Sequence, residues 1–390
     1  MLNIAEVQEK LAEMKVEGWL LYDFQGLNPI AKKLAGLQGN LLTRRWFCWI
    51  PRTGTPVFLV HQIEKQAFST METPFVTFKS WDEMTGRLAE ILGAARQICM
   101  EFSPRCAIPY VSRVDAGTLE LIQGLGKQIS SSANLVQYFE ACWSRAQLEM
   151  HLEASRLLMQ TLFETFEKIR GDLRAQNRLT EYSVQQFMME RFEAKGLATF
   201  FAPIIAVNAH SGNPHYEPSR ESSTPVRAGD FLLIDWWARM NQPDSVYADY
   251  TWVTYLGEAI PEKYIRIWEI VKGARDGALQ FIRGNFGQRP VMGWEADRAA
   301  REIIQAAGYG DYFIHRTGHN IGEQDHGNGA NLDDLETHDE RELIPRTCFS
   351  IEPGIYLEEF GVRSEINVYL DKETLIVTGD PVQQEIYRIY

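Results

Sequence analysis

The stretch FLLIDWWARMNQPDSVYADYTWVTYLG, residues 231–257, holds the feature that decides the fold of this 390-residue chain. Two runs rich in apolar and aromatic residues lie on either side of a polar turn, which is the pattern of a β-hairpin. Each run nevertheless carries an aspartate, Asp235 in the first and Asp249 in the second. Because a carboxylate without a partner is costly inside an apolar sheet, the hairpin predicts that both aspartates bind something.

A second stretch near the end of the chain has the same design. In CFSIEPGIYLEEFGVRSEINVYL, residues 348–370, two apolar runs again surround a turn, and each run holds one glutamate, Glu352 or Glu365. The two glutamates have nearly the same spacing along the chain as the two aspartates. We therefore expect the two hairpins to be halves of one pseudo-symmetric sheet on which four carboxylates converge.

Four converging carboxylates repel one another in an apolar setting, and two divalent cations would neutralise them. Between the hairpins, the segment FIHRTGHNIGEQDHG supplies imidazole groups from His315, His319 and His326. Carboxylates joined by one neutral imidazole suit manganese, cobalt or iron at least as well as zinc. Any single acid of this kind is more often a helix cap or an ion-pair partner than a ligand. The order acid hairpin, histidine loop, acid hairpin has no simple structural explanation, however, and it predicts a dinuclear metal centre.

The length of the chain favours two domains, and the character of the sequence changes near residue 145. Before that point helix and strand signals alternate, with a helix over 4–16, a strand over 18–24 and two strands within 45–60. This part contains no cluster of metal-binding or nucleophilic residues. We predict a smaller α/β N-terminal domain over residues 1–144.

The rest of the sequence combines amphipathic helices with strand hairpins. Apolar residues recur at helical intervals over 145–170. Thr180 is suited to cap a second helix, Gly196 to follow its end, and Pro261 to begin a third. Helices outside and hairpins inside make an α+β arrangement rather than a series of βαβ units. We predict an α+β domain over residues 145–390.

Composition and charge exclude several classes of protein. A formal net charge of −13 disfavours nucleic acid or an anionic membrane as the main partner, and no segment approaches the apolar length of a membrane span. The five cysteines are scattered without a CxxC pair, which indicates reduced thiols rather than a disulfide framework. The first residues, MLNIAEVQEKLAEMK, lack the apolar segment of a signal peptide. We expect a cytoplasmic protein.

Four short motifs give the sequence a family resemblance. HRTGHNIG at 315–322, IEPGIY at 351–356 and GVRSE at 361–365 resemble signatures of the pita-bread metallopeptidases, in their Xaa-Pro aminopeptidase and prolidase branch. AVNAHSGNPHY at 206–216 is similar to the histidine segment on the substrate side of that branch. The resemblance covers about residues 145–390. The part before it resembles the accompanying creatinase-type N-terminal domain. This resemblance depends on its position in the chain and its alternation of helix and strand signals more than on any motif.

The resemblance implies a pita-bread catalytic domain with two divalent metal ions. It assigns Asp235 to one ion and lets Asp249 and Glu365 bridge both. It assigns His319 and Glu352 to the second ion. Manganese is the expected metal, with cobalt, iron and zinc as alternatives. The side chains that it places in catalytic positions, or in contact with the metal ligands or the substrate, are Glu352, His215, His315, His326 and Arg363.

The implied activity is hydrolysis of an Xaa-Pro bond at the N-terminus of a peptide or in a dipeptide, by a homodimer that acts on small peptides. Two alternatives stay open: a creatinase-like hydrolase of a non-peptide C–N bond, and a non-catalytic pita-bread binding module. The complete ligand set disfavours both. Two departures from the family leave the choice of substrate open: Trp237 stands where a small residue is usual, and the hairpin turn at MNQPDS is longer.

Overall fold

Residues 2–372 and 374–390 are described by the structure, a computed structural model. They belong to two units, Met1–Glu140 and Ala141–Tyr390. The sequence pattern places this boundary after residue 144. Each unit mixes helices with sheets, in agreement with the predicted fold class.

The first unit is built on a six-stranded sheet. Its strands lie in the order β4-β3-β2-β1-β5-β6, with β1–β2 and β2–β3 antiparallel and the other pairs parallel. The strands are β1 (Gly18–Asp23), β2 (Trp46–Pro51), β3 (Val57–His61), β4 (Phe75–Phe78), β5 (Gln97–Met100) and β6 (Gln128–Ser131). The helices are α1 (Ile4–Glu13), α2 (Pro29–Leu34), α3 (Lys65–Phe68), α4 (Trp81–Leu92), α5 (Ala116–Gly124) and α6 (Ala133–Val136).

Strand β1 shows why this sheet is covered on both faces. All six of its residues are buried. Because successive side chains point to opposite faces, Trp19 and Leu21 pack into one core with residues of α1 and α2. Leu20 and Tyr22 pack into a second core with residues of α4 and α5.

Helices of the second unit begin and end close to the predicted positions. They are α7 (Arg145–Arg174), α8 (Glu181–Ala194), α9 (Glu262–Asn285) and α10 (Gly293–Ala306). Thr180 caps α8 by accepting a 3.1 Å hydrogen bond from the backbone N–H of Ser183. Gly196 follows its end with φ +69°, a conformation that glycine adopts without strain. Within the described ranges, no helix is long and apolar enough to cross a membrane.

The described residues of the second unit form three sheets. The first has the order β17-β10-β9-β7, with β8 also paired to β9; the second has the order β11-β12-β15-β16; the third pairs β13 with β14. The strands are β7 (Leu197–Ala198), β8 (Ile204–Val207), β9 (Phe231–Met240), β10 (Tyr247–Tyr255), β11 (Asn320–Ile321), β12 (Cys348–Ile351), β13 (Gly354–Tyr356), β14 (Gly361–Arg363), β15 (Ile366–Asp371), β16 (Thr374–Thr378) and β17 (Tyr387–Arg388).

The two acid hairpins do not form one sheet, so that prediction is wrong. The first hairpin is the pair β9–β10, whereas the second is split, with β12 paired to β15 and β13 paired to β14. The breaks fall at Glu352 and Pro353 on one side and at Ser364 and Glu365 on the other. Pro353 has no N–H to continue a ladder. Both glutamates therefore lie in gaps between strands.

Side chains along β9 and β10 point alternately to the two faces of the hairpin, which explains how an apolar hairpin accommodates two acids. Trp236 Nε1 donates a 3.2 Å hydrogen bond to the backbone oxygen of Leu158 in α7, and these two residues share a core with α8. Side chains on neighbouring positions of a strand point to opposite faces. Asp235 and Asp249 therefore project from the face that α7 and α8 leave open.

Candidate metal centre

The register of the β9–β10 hairpin places its two aspartates on one face. Asp235 lies opposite Thr251, and Asp249 lies opposite Trp237. Residues that are directly opposite in an antiparallel pair project to the same side, so the four side chains form one patch. Both aspartates are nearly inaccessible to solvent, with 6% and 5% of their surface exposed.

The histidine loop and the break after β12 supply the next two predicted ligands. His319 Nε2 lies 3.6 Å from Asp249 Oδ2 and 3.3 Å from Glu352 Oε1. Ser350 aligns the pair, because its hydroxyl donates to Glu352 Oε1 at 3.0 Å and accepts from the backbone N–H of His319 at 2.9 Å. His319 and Glu352 therefore meet Asp249 although they come from a different sheet.

Glu365 reaches the same patch through Thr251. The Thr251 hydroxyl lies 2.9 Å from Glu365 Oε2 and 3.1 Å from Asp235 Oδ1, and the Glu365 backbone N–H donates to the Thr251 carbonyl at 3.2 Å. Possible ligand atoms of Asp249, His319 and Glu365 all lie within 4.8 Å of one another. The structure thus brings the five predicted ligands into one cluster.

Electrostatics in this cluster are unfavourable for the protein alone. Burial raises the pKa of Asp249 well above its usual value, and the charge of Glu365 raises it further. Burial and the charge of Glu352 raise the pKa of Glu365 in the same way. Burial also raises the pKa of Glu352 to about 7. It lowers the pKa of His319 well below its usual value, which keeps the imidazole in the neutral form that binds metals.

Two buried carboxylate oxygens of the cluster show whether the site is suited to metal ions. Asp249 Oδ1 and Glu365 Oε1 have no accessible surface and no hydrogen-bond partner among the described residues. Buried polar atoms normally have a partner, and one without it costs free energy. Four acids and one neutral imidazole are a suitable donor set for a hard or borderline divalent ion. The cluster therefore fits the metal ions that the sequence predicts.

Arg363 and His315 are joined by a chain of hydrogen bonds behind the cluster. Arg363 pairs with Asp235 through Nη2, donates from Nε to Thr251 Oγ1 at 2.9 Å, and donates from Nη1 to Tyr356 at 3.3 Å. His315 contacts the Tyr356 hydroxyl through Nε2 at 2.8 Å and the Arg316 carbonyl through Nδ1 at 2.7 Å. Burial lowers the pKa of His315 to about 3, so that the ring is neutral. Both ring nitrogens of His315 are thus engaged.

His326 lies on the more open side of the cluster. Its side chain is 55% exposed, and its ring centroid lies 4.1 Å from that of His319. Arg316 Nη2 approaches its Nδ1 at 3.3 Å, where the guanidinium can only donate. The proton of a neutral His326 is therefore on Nε2.

His215 lies in an exposed loop whose shape depends on a residue that the sequence did not indicate. The carboxylate of Glu181, the first residue of α8, is fully buried. It accepts hydrogen bonds from the backbone N–H of Val207 at 2.8 Å and from the Tyr216 hydroxyl at 2.7 Å, and it contacts His210 Nδ1 at 2.9 Å. His215 is near enough to lower the pKa of Asp235. In the sequence, Glu181 is indistinguishable from an ordinary acid in the first turn of a helix.

Three further side chains at the centre were also missed. Thr251 lies within the apolar run of β10, and Asn367 lies within the apolar run of β15, so neither residue stood out in the sequence as a candidate. Asp325 lies next to His326 in the histidine loop, and that adjacency was the one signal in the sequence. Burial raises the pKa of Asp325 to about 8, and the charges of Asp235 and Glu352 act in the same direction.

A buried set of acids and one imidazole between two sheets defines a metal-binding protein of the α+β class. The chain belongs to metallopeptidase family M24, whose sequence model matches residues 149–372, more than half of the 390 residues.

Individual relatives agree with this membership. A "Putative Xaa-Pro aminopeptidase" of Mycoplasma pneumoniae is 27% identical over 214 residues, which are 54% of this chain and 56% of that protein. The "Xaa-Pro dipeptidase" of Pyrococcus furiosus is 34% identical over 171 residues, 44% of each chain. The chain spans about half the length of these curated relatives.

Solved structures are similar over nearly the whole chain. The dipeptidase PepE from Mycobacterium ulcerans has a TM-score of 0.71 at 20% identity and covers 99% of this chain and 96% of its own. Recombinant prolidase from Thermococcus sibiricus has a TM-score of 0.64 at 20% identity, with 99% and 98% covered. At these identities the likeness concerns the fold, which includes the unit before the family match.

Proposed function

We propose that this chain is a dinuclear-metal peptidase that hydrolyses the Xaa-Pro bond at the amino end of a peptide or in a dipeptide. The observation that carries the proposal is the pair of buried oxygens, Asp249 Oδ1 and Glu365 Oε1, without a partner in the cluster of five ligands. Relatives with Xaa-Pro dipeptidase and Xaa-Pro aminopeptidase in their names support the choice of substrate.

The proposed ligands divide between two ions. Asp235 would hold one ion, His319 and Glu352 would hold the other, and Asp249 and Glu365 would contribute to both. When bound, two divalent ions acidify a water molecule and polarise the scissile carbonyl group. Manganese is the proposed metal because oxygen ligands dominate the set.

Glu352 is the proposed proton carrier. Its Oε1 accepts a hydrogen bond from Ser350 at 3.0 Å and lies 3.3 Å from His319 Nε2, while Oε2 lies 4.0 Å from Arg363 Nε. Oε2 is therefore the freer oxygen to take the proton from the attacking water. The nitrogen of an Xaa-Pro bond carries no proton and must gain one as the bond breaks. Glu352 passes its proton to that nitrogen.

Histidines on the open side stabilise the charge that develops on the substrate. His326 carries a proton on Nε2, and exposed His215 can approach from its loop. Either can donate to the carbonyl oxygen as it becomes an oxyanion. His315 instead holds Tyr356, and through it Arg363, in place.

Arg363 neutralises Asp235 in this proposal rather than anchoring a substrate carboxylate. Its Nε and both terminal nitrogens already contact Thr251, Tyr356 and Asp235, and only 5% of the residue is exposed.

Metal-free protein, prepared with a chelator and reconstituted separately with manganese, cobalt, iron or zinc, tests the proposal. The substrates are an Xaa-Pro dipeptide, an Xaa-Pro tripeptide and an Xaa-Ala control. We expect no turnover without metal, recovery with manganese or cobalt, and preference for the proline substrates. Full activity in protein that elemental analysis shows to be metal-free contradicts the proposal. Binding of peptide without turnover by any reconstituted form favours the binding module instead.

The homodimer and the cytoplasmic location stay predictions. Sedimentation velocity tests the first. Fractionation of cells tests the second.

A further inference from the structure

Asp325 places another carboxylate beside the proposed metal centre. It lies in the loop between His319 and His326, and possible ligand atoms of these three residues all lie within 4.8 Å of one another. Asp249, His319 and Glu365 form a second group with the same property. His319 is common to both groups, so Asp325 approaches the cluster from the side of this imidazole.

The Asp325 carboxylate has an oxygen without a partner. Its side chain is 24% exposed overall, yet Oδ1 has no accessible surface and no hydrogen-bond partner within the described parts of the chain. Its neighbour on the inner side is the carboxylate of Asp249, which lies within hydrogen-bonding reach. Two adjacent carboxylates repel each other unless a cation or a proton lies between them. Asp249 and Glu365 each have one more buried carboxylate oxygen without a hydrogen-bond partner among the described residues. Both residues are at least 95% buried.

The orientation of His319 indicates which ion Asp325 approaches. His319 Nδ1 faces the carbonyl oxygen of Asn320 at 3.3 Å, and a nitrogen in that position carries the proton. Nε2 is therefore the nitrogen with a free lone pair, and it faces Asp249 and Glu352. One imidazole nitrogen binds one ion. His319 belongs to both groups of ligand atoms, so the ion that its Nε2 binds is the one to which we assign Asp325.

A purely structural role for Asp325 is weakly supported. Its Oδ2 lies 3.8 Å from His326 Nε2, which is too long for a hydrogen bond. The imidazole of His326 is oriented by Arg316 instead.

We infer that Asp325 is an additional carboxylate ligand of the ion bound by His319. This inference rests on the proposed function, because it needs a metal at the centre. A further oxygen ligand raises the coordination number and strengthens the preference for manganese over zinc, since structural zinc sites are usually four-coordinate.

Metal binding by the 390-residue chain tests the role of Asp325. The variants are Asp325→Asn, which keeps the shape, and Asp325→Ala, which removes the carboxylate. Asp244→Asn is the matched control, because it removes an exposed acid from the turn of the first hairpin. Calorimetric titration of each metal-free protein with Mn²⁺ measures the number of ions and their affinities. The visible spectrum of the Co²⁺ form reports coordination number without any assay of activity.

We expect the wild type and Asp244→Asn each to bind two Mn²⁺ ions. The affinity for each ion should be the same in the two proteins. Both Asp325 variants should bind one of the two ions at least about tenfold more weakly, and their Co²⁺ spectra should intensify as a ligand is lost. Unchanged affinities and spectra in both variants, or equal weakening in the Asp244 control, overturn the inference while the proposed function stands. A wild type that binds no divalent ion overturns the proposed function and this inference together.

Discussion

The side-chain amide of Asn367 holds the backbone of Asp249 through two hydrogen bonds. Asn367 Oδ1 accepts from the Asp249 N–H at 2.9 Å, and Asn367 Nδ2 donates to the Asp249 carbonyl at 2.7 Å. The residues are 118 positions apart and lie in different sheets. One amide therefore fixes the position of a carboxylate that we propose as a metal bridge, relative to the strand that follows Glu365.

Asn367→Ala should weaken the proposed metal centre as well as the fold. Removing the amide leaves the buried N–H and carbonyl of Asp249 without partners, which costs about 1–3 kcal/mol. Displacement of Asp249 should lower the affinity for Mn²⁺ by roughly 10- to 100-fold. Gln383→Ala is the control, because Gln383 holds Val253 of the same strand with the same pair of hydrogen bonds. Calorimetry and denaturant unfolding should show equal destabilisation in the two variants but a metal defect in the first alone.

Each of the two carboxylates proposed as bridges, Asp249 and Glu365, should be needed for both proposed ions. Asp249→Ala and Glu365→Ala should lose most of both ions and at least about 100-fold in turnover, whereas Asp235→Ala should retain one ion. Elemental analysis of dialysed protein measures the difference. Asp244→Asn serves as the control for a general effect of charge, because asparagine tolerates the positive φ of +58° at this position. If Asp249→Ala retains two ions, the assignment of the bridge is wrong.

His215→Ala should impair the reaction without impairing metal binding. Loss of a donor to the developing oxyanion should lower kcat on an Xaa-Pro substrate by about one to three orders of magnitude, while the metal content stays at the wild-type level. His338→Ala removes a surface histidine that contacts Asp334 and should behave as wild type. Equal hydrolysis of Xaa-Pro and Xaa-Ala peptides by the wild type would reject proline selectivity. Trp237, which lies opposite Asp249, would then be the first residue to substitute.

Glu101 should make the stability of the first unit depend on pH. The residue is fully buried, and burial raises its pKa to about 7 although Trp19 and Asn28 donate to it at 2.6 and 2.8 Å. The folded protein therefore keeps a proton that the unfolded chain has already lost, between the usual pKa of 4.5 and about 7. The free energy of unfolding is therefore highest below that pH range. It falls by about 3 kcal/mol in total as the pH rises through the range.

Denaturant unfolding at pH 5 and pH 8 measures this effect. Glu101→Gln should remove most of the difference between the two pH values that the wild type shows. Glu90→Gln, which removes an exposed acid of the same unit, should retain it. An identical loss of stability at pH 8 in all three proteins would mean that Glu101 is not the responsible group.

Local patterns were sufficient to predict the first hairpin and its acids. The apolar runs and the polar turn between them depend only on neighbouring residues, and they correctly predicted the strand pair β9–β10 that carries Asp235 and Asp249. The caps at Thr180 and Gly196 are local in the same sense. The break after β12 also had a visible signal in Pro353, although the similarity between the two hairpins suggested a continuous sheet.

Contacts between distant segments could not be predicted in the same way. The position of Glu365 beside Thr251 depends on how the second sheet packs against β10, and the apolar runs of these strands carry no information on that packing. Glu181 stabilises a loop that begins more than twenty residues later. Asp325 lies near the centre because the loop after β11 turns back toward His319, a conformation that no spacing in the sequence indicates.

The separation of the ligands along the chain also has a consequence for biosynthesis. Thr251 and Glu365, which meet at the centre, are 114 positions apart, so the ribosome releases the aspartate hairpin long before the glutamates. A nascent chain that ends before Glu352 has only two of the four acids and cannot form the complete proposed metal site. Because such long-range contacts form late and metal capture is coupled to folding, uptake of the metal ions should mark the last step of maturation of this unit.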